Sequence, residues 1–314
     1  MQKIFSKEVL IILKKVLSIS LGASSRNHKV KKTILGQTVS IERRGTDGDK
    51  GKAARLFSEL DGKYDAFGIG GIDLYVYSGT NRYKIRETAA ITKKAQVTPV
   101  VDGSGLKNTL EPKIVAELQQ GKEVDFNDKT VLIVSAVDRY GMAKTFQKLG
   151  CQLIVGDLLF ILGFPLTLKS LKPLEIIARI AAPLVVKLPV EMLYPTGAKQ
   201  RSVKNKKRYH KQFCRADIIA GDFHLIKRYM ARELKGKIII TNTVTPEDIE
   251  LLREKKVKKL VTTTPSLEGR SFGTNVIEAV LVALSEKSPE LISPEDYLNL
   301  LKKINFQPRI ENLN

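Results

Sequence analysis

Cysteine and histidine are scarce in this sequence. Two cysteines, Cys151 and Cys214, occur in 314 residues, one inside a run that reads as a strand and the other beside a basic stretch. The chain therefore reads as a cytoplasmic protein with reduced thiols, not one stapled by disulfides. The three histidines, His28, His210 and His224, stand in no ligand spacing with each other or with the cysteines, so no metal is expected. No apolar run is clean and long enough to span a bilayer. IFSKEVLIILKK, near the start, is short and closed by Lys14 and Lys15, and reads as an extra helix within 1–15. The apolar stretch 158–193 is cut by Pro165, Pro173, Pro183 and Pro189 into what reads as core helices. No membrane partner is expected.

Acids are also in deficit, with 33 Asp and Glu against 53 Lys and Arg, a formal net charge of +20. Most of the excess is lysine on helix faces, which reads as solvated surface. Between Glu191 and Asp217, however, eight Lys and Arg occur without one acid. No RNP, zinc-finger or helix-turn-helix signature accompanies this run, so a nucleic-acid partner is not expected.

What is present is alternation. With 43% hydrophobic residues the chain can bury one large or two ordinary domains. Short β-rich runs at 16–21, 38–41, 65–68 and 99–101 alternate with helical patterns, and so do those at 131–134, 151–155, 217–220, 237–240 and 259–261. This predicts an α/β protein with parallel sheets: an N-terminal substrate-binding domain over 1–125 and a C-terminal, doubly wound, Rossmann-like domain over 126–314, joined through the polar stretch 121–128. A helix is expected from 112 to 120 and a hairpin around SGTN at 78–81.

The clearest unit is 130–157, TVLIVSAVDRYGMAKTFQKLGCQLIVGD, one strand, turn, helix and second strand. Its glycine fingerprint is degenerate: with Gly141 as the third glycine of G-x-G-x-x-G, Ala136 and Asp138 take the first two places. Asp157 closes the second strand, where a ribose hydroxyl is met in dinucleotide-binding folds. A carboxylate there favours NAD over NADP. A dinucleotide site and a structural βαβ with a decayed loop both fit these residues.

Ligands in open parallel sheets sit beyond the carboxyl ends of strands. Four such loops, GASSRNH at 22–28, GTDGD at 45–49, GIGGID at 68–73 and DGSGLKNT at 102–109, are rich in Gly, Ser, Thr, Asn and Asp. Turn chemistry alone favours the same residues.

On these residues the chain resembles the shikimate/quinate 5-dehydrogenases. Gly22-Ala23-Ser24-Ser25-Arg26-Asn27-His28 is similar to that family's S-x-S-P-x-x-H-N substrate loop, keeping the second serine and the histidine. Val101-Asp102-Gly103-Ser104-Gly105 partly matches N-T-D-G-x-G, Asn242-Thr243 is similar to the Asn-(Ala/Thr) segment beside the cofactor, and Glu278-Ala279 falls near the Gln-Ala of the returning helix. The resemblance implies hydride transfer between NAD, with NADP less favoured, and a cyclic polyol acid. Asp102 would be the catalytic aspartate, with Ser24, His28 and Glu278 on the substrate. The lysine-bearing N-V-T-x-P-x-K loop has no match; GIGGID stands in its place and offers Asp73. Lys107, five residues after Asp102, is the expected substitute base, with Lys84 second. The alternative reading is a small-ligand-binding or regulatory protein without catalysis. Either leaves room for a homo-oligomer.

Overall fold

The structure is a computed structural model describing residues 13–78, 81–193, 207–264, 266–267 and 270–314. Of the expected N-terminal helix, residues 1–12 lie outside the described ones. Residues 13–15 belong instead to the first strand, β1 (Leu13–Ser20). There follow β2 (His28–Ile34), β3 (Gln37–Gly45), helix α1 (Lys50–Glu59), β4 (Ala66–Gly70), the hairpin β5 (Tyr75–Ser78) and β6 (Asn81–Lys84), α2 (Arg86–Thr92) and the short β7 (Val100–Val101). The first sheet has the order β2-β3-β1-β4-β7, parallel except for β2 on β3. Strand β2 is not apparent in the sequence because HKVKKTI buries only Val30. Its lysines belong to an edge, where charge discourages further pairing.

Helix α3 runs from Ser104 to Gln120, eight residues longer than expected, with Pro112 inside it. The loop DGSGLKNT is therefore mostly helix, and Lys107 and Asn108 lie in its first two turns. The stretch 121–128 leads from α3 to β8 (Thr130–Ile133), followed by α4 (Tyr140–Lys148), β9 (Gln152–Val155), α5 (Asp157–Phe160), α6 (Leu171–Val185), α7 (Val190–Leu193) and α8 (Lys207–Arg215). Part of the basic run, 199–206, lies outside the described residues. The chain continues through β10 (Ile218–Gly221), α9 (Phe223–Tyr229), β11 (Ile238–Thr241), α10 (Pro246–Glu254), β12 (Lys259–Thr262) and the small ladder β13 (Ser266–Leu267) with β14 (Arg270–Ser271). It ends with α11 (Thr274–Ser285), α12 (Pro294–Lys303) and β15 (Arg309–Asn312). Pro294 at the first turn of α12, behind a Ser293–Asp296 capping box, fixes that helix start.

The second sheet is ordered β9-β8-β10-β11-β12-β15, the first five parallel and β15 antiparallel. It is doubly wound, with the order reversing between β8 and β10, the switch point at which such folds place ligands. Alternate residues of each strand serve opposite faces. Val131, Ile133, Ile218 and Ala220 join the core under α3, α4 and α11, while Leu132, Ile154, Ile219 and Ile239 join the core under α8, α9 and α10. This two-sided burial is why the strands read as unbroken apolar runs.

Helix α11 is buried on nearly every side, as a helix packed between layers must be. The same continuous core holds it against Val16 and Ala66 of the first sheet and against Val261 of the second. Asn275 Nδ2 donates to Ser18 Oγ at 2.8 Å. A Cβ on Gly103 (φ +92°) would lie 2.7 Å from Asn275 N, and one on Gly68 would lie 2.9 Å from Asn275 O. Both glycines are required by the approach of this helix.

Candidate functional site

The carboxyl ends of β1, β4 and β7 face those of β8, β10 and β11 across a cleft of about 540 Å³. Its floor is polar and its outer wall, contributed by α6 and the segments flanking it, is apolar.

Lys107, on α3, projects into the cleft between two carboxylates. Its Nζ lies 3.0 Å from Asp73 Oδ1 and 2.7 Å from Asp138 Oδ1. Burial works against the ammonium, but Asp138 and Asp73 outweigh it and hold Lys107 far above the ordinary lysine range. It is a fixed cation, not a base. The two acids are served unequally. Asp138, nearer the ammonium and also facing Arg139, is held below its usual value despite burial. Burial, opposed by Lys107 but reinforced by Asp138 and Asp102, pushes Asp73 up to about 7. Asp73 is thus the group poised to exchange a proton near neutrality.

Behind this trio Arg139 is fully buried, paired with Glu111 and lying 3.7 Å from both Asp138 and Asp222. On the opposite wall Arg43 donates to Ala23 O at 3.1 Å and to Ser20 Oγ at 3.0 Å, and no described carboxylate is in ion-pair contact with it. Burial, then Arg26, lowers it to about 10. Arg26 Nη1 lies 2.8 Å from His224 Nε2. Because arginine can only donate, that nitrogen accepts and the imidazole is neutral, in keeping with the downward shift that burial imposes on His224.

The structure brings some expected residues together and separates others. Asp73, Lys107, Asp138, Asp157, His28, Asn242 and Thr243 all line the cleft. Asp102 lines it too, but its carboxylate is taken: Oδ2 accepts from Leu74 N at 2.7 Å and Tyr75 N at 3.0 Å, and Oδ1 from Ser104 N at 2.9 Å. The expected Asp102–Lys107 pairing is corrected to Asp73–Lys107–Asp138, because the helical course of 104–109 carries the lysine past Asp102. Ser24 does not line the cleft; it sits in a short turn with its N–H donating to Asp47 Oδ1 at 2.7 Å. Glu278 is also displaced. It is buried beside Gly105 and accepts from Tyr297 OH at 2.8 Å, lining a separate cavity behind Asp102. Burial and then Asp102 raise it to about 8. Lys84 is exposed on β6, near the Tyr75 ring.

The dinucleotide loop is occupied by the protein itself. Ala136 N and Val137 N each donate at 2.9 Å to the Asp157 carboxylate, which burial raises to about 6 against those two bonds. Gly141 serves packing: a Cβ there would meet Pro112 Cγ at 2.8 Å and Asn108 O at 3.2 Å on α3. Asn242 orients Asp222 through a 2.9 Å bond, and Thr243 follows it at the end of β11. Among the described residues no group of three or more His, Cys, Asp or Glu could hold a metal ion.

Arg26, Arg43, Glu111, Arg139, Asp222 and His224 were not anticipated. The available signal was a charge standing in an apolar helical pattern, as Glu111 does between Leu110 and Ile114.

Residues 105–313 match a family described as a domain of unknown function (DUF8754), and residues 15–102 match a second, DUF8753. The chain belongs to the DUF8754 family. No curated protein matches it. Among solved structures it is similar to the hetero-hexameric glutamate dehydrogenase from Thermus thermophilus in its Leu-bound form (12% identity, 94% of this chain and 74% of that one, TM-score 0.42). It is also similar to an ABC transporter solute binding protein from Agrobacterium vitis with bound allitol (12%, 88% and 91%, TM-score 0.38) and to L-tryptophan dehydrogenase from Nostoc punctiforme (11%, 93% and 80%, TM-score 0.33). Similarity at this level assigns neither ligand nor activity.

Proposed function

We propose that the cleft binds a small hydroxylated organic acid, of the cyclic polyol acid class, and that Asp73 exchanges a proton with a bound hydroxyl. One observation carries this reading: a single cleft holds an arginine in ion-pair contact with no described carboxylate, Asp47 acting on it only at longer range, and an acid pushed to about 7. The Arg43 guanidinium offers the fork that a ligand carboxylate accepts in two parallel bonds. Lys107 stabilises whichever oxygen takes on charge as the proton moves to Asp73. Ser18, Ser20, Asn275 and Thr245 supply hydroxyls and an amide for the remaining ligand oxygens.

Oxidation of that hydroxyl with NAD, as in the quinate/shikimate dehydrogenases, is the second reading, favoured by Asp73 facing a doubly wound sheet. The turn between β8 and α4 does not fit a pyrophosphate as it stands. Asp157 already takes two of its backbone donors, and Asp138 places another carboxylate beside them. Proton exchange at Asp73 is therefore proposed without a nicotinamide step.

A thermal-shift series with quinate, shikimate, NAD and NADP tests this. Saturation with a bound polyol acid, at ~100 times its Kd, stabilises the protein by about 2.7 kcal/mol. Arg43→Ala is expected to abolish the shift with the fold retained. Absence of a shift with any polyol acid refutes the ligand class, and a shift with NAD refutes the misfit of the turn.

A further inference from the structure

Among the described residues, nine of the fourteen exposed large hydrophobic side chains fall between 161 and 192; Ile161, Leu162, Leu188 and Met192 line the cleft, and Phe164, Leu166, Ile176, Ile180 and Leu184 do not. Monomeric soluble proteins rarely leave so much apolar surface together without a partner. The segment is short of negative charge. From 158 to 193 its only acids are Glu175, bonded to Tyr140 OH, and Glu191, 2.5 Å from Lys50 Nζ. Its cations, Lys169, Lys172, Arg179 and Lys187, are all exposed.

Helix α6 sorts these residues into stripes. Leu174, Ile177, Ala178, Ala181 and Val185 face the cleft. The outward side carries Ile176, Ile180 and Leu184, one turn apart, with Lys172 and Arg179 among them and Lys187 just past the helix end. Phe160, just before the apolar segment, stacks on Tyr209 of α8 at 5.7 Å. Helix α8 itself leaves Lys207, Arg208, Lys211 and Arg215 exposed. A helix with an apolar outward stripe and long basic side chains among it suits an interface of hydrocarbon and anionic headgroups, because the stems lie along the apolar layer while the charges reach the phosphates. None of the described helices is long and apolar enough to cross a membrane, which leaves a surface-lying mode.

We propose that the outward face of 161–192, centred on α6 and its exposed Lys172 and Arg179, docks on an anionic lipid surface. The prolines and the core-like pattern of this stretch conceal that Phe164, Leu166, Ile176, Ile180 and Leu184 are exposed away from the cleft. The docking is independent of the ligand assigned to the cleft.

The test is cosedimentation of the full chain with vesicles of phosphatidylcholine alone and of phosphatidylcholine mixed with phosphatidylglycerol. Binding at least ~10-fold stronger to the anionic vesicles is expected, weakening as salt rises. Ile180→Asp/Leu184→Asp alters only exposed positions and should cost at least ~10-fold in binding, while the circular dichroism spectrum stays that of the wild type. Should that variant misfold, hydrogen exchange on the wild type decides the matter. Slower exchange across 171–193 with anionic vesicles supports docking, and unchanged exchange overturns it. No pelleting with any vesicle also overturns the proposal, as does vesicle binding untouched by the aspartates. Concentration-dependent dimers without lipid that the same double substitution abolishes would assign the face to a second copy of the chain and overturn it as well.

Discussion

Replacing Asp73 by Asn removes a buried charge while keeping the shape of the side chain. Asp73 has its folded-state value raised from 3.8 to about 7, so between these values the folded protein holds a proton that the unfolded chain has released. The stabilisation this brings is full below the unfolded value and is lost as pH rises through the folded one. From pH 5 to pH 8 the loss spans roughly two units, on the order of 3 kcal/mol. The amide of the Asp73→Asn variant cannot ionise. That variant should therefore gain on the wild type steadily across the interval, and urea unfolding at pH 5, 6, 7 and 8 should give a flatter stability profile. Parallel profiles would mean that Asp73 titrates normally and that Lys107 satisfies both acids, which removes the basis for placing proton exchange there.

Three further outcomes follow from the same geometry. Lys107→Met strands Asp73 and Asp138 without their shared cation and should cost ~3–5 kcal/mol, with Asp73→Asn in the same chain recovering part of it in a double-mutant cycle by urea unfolding. Glu278 is raised from 4.5 to about 8, so between these values the folded protein keeps a proton that the unfolded chain has released. Glu278→Gln should match the wild type below the unfolded value, become increasingly stabilising as pH rises toward the folded one, and level off above it; an equal effect at ~pH 5 and ~pH 8 would contradict that state. Gly141→Ala pushes a methyl against Pro112 and the Asn108 carbonyl, and thermal unfolding should show a loss of ~1–3 kcal/mol from overpacking. If Gly141 served only a ligand, stability would not move.

The parallel strands were legible because each is a short apolar run, and the acids in the loops that leave them, Asp73, Asp138 and Asp157, line the cleft. The partners of those acids were not. Which carboxylate meets Lys107 depends on α3 beginning at Ser104, and Pro112 made that helix look as though it started eight residues later. Ser24 and Glu278 were placed by their neighbours in sequence, but a short turn and the burial of α11 beside Tyr297 point them elsewhere. Arg43 and His224 come from distant parts of the chain, and no local pattern signals that they share a cleft. Across the polar stretch 121–128, α3 before it packs against α4 after it through Pro112 and Gly141.

The 257 residues that separate Asn275 from its partner Ser18 impose an order on synthesis. A ribosome delivers β1 to β7 long before α11, so the growing chain carries one face of its first sheet without its helix until residues 274–285 have been made. Exposed sheet surface of this kind is what aggregates or recruits chaperones. A fragment ended before residue 274, whether by truncation or by stalled translation, lacks more than a tail: it has lost the inner layer of its other half.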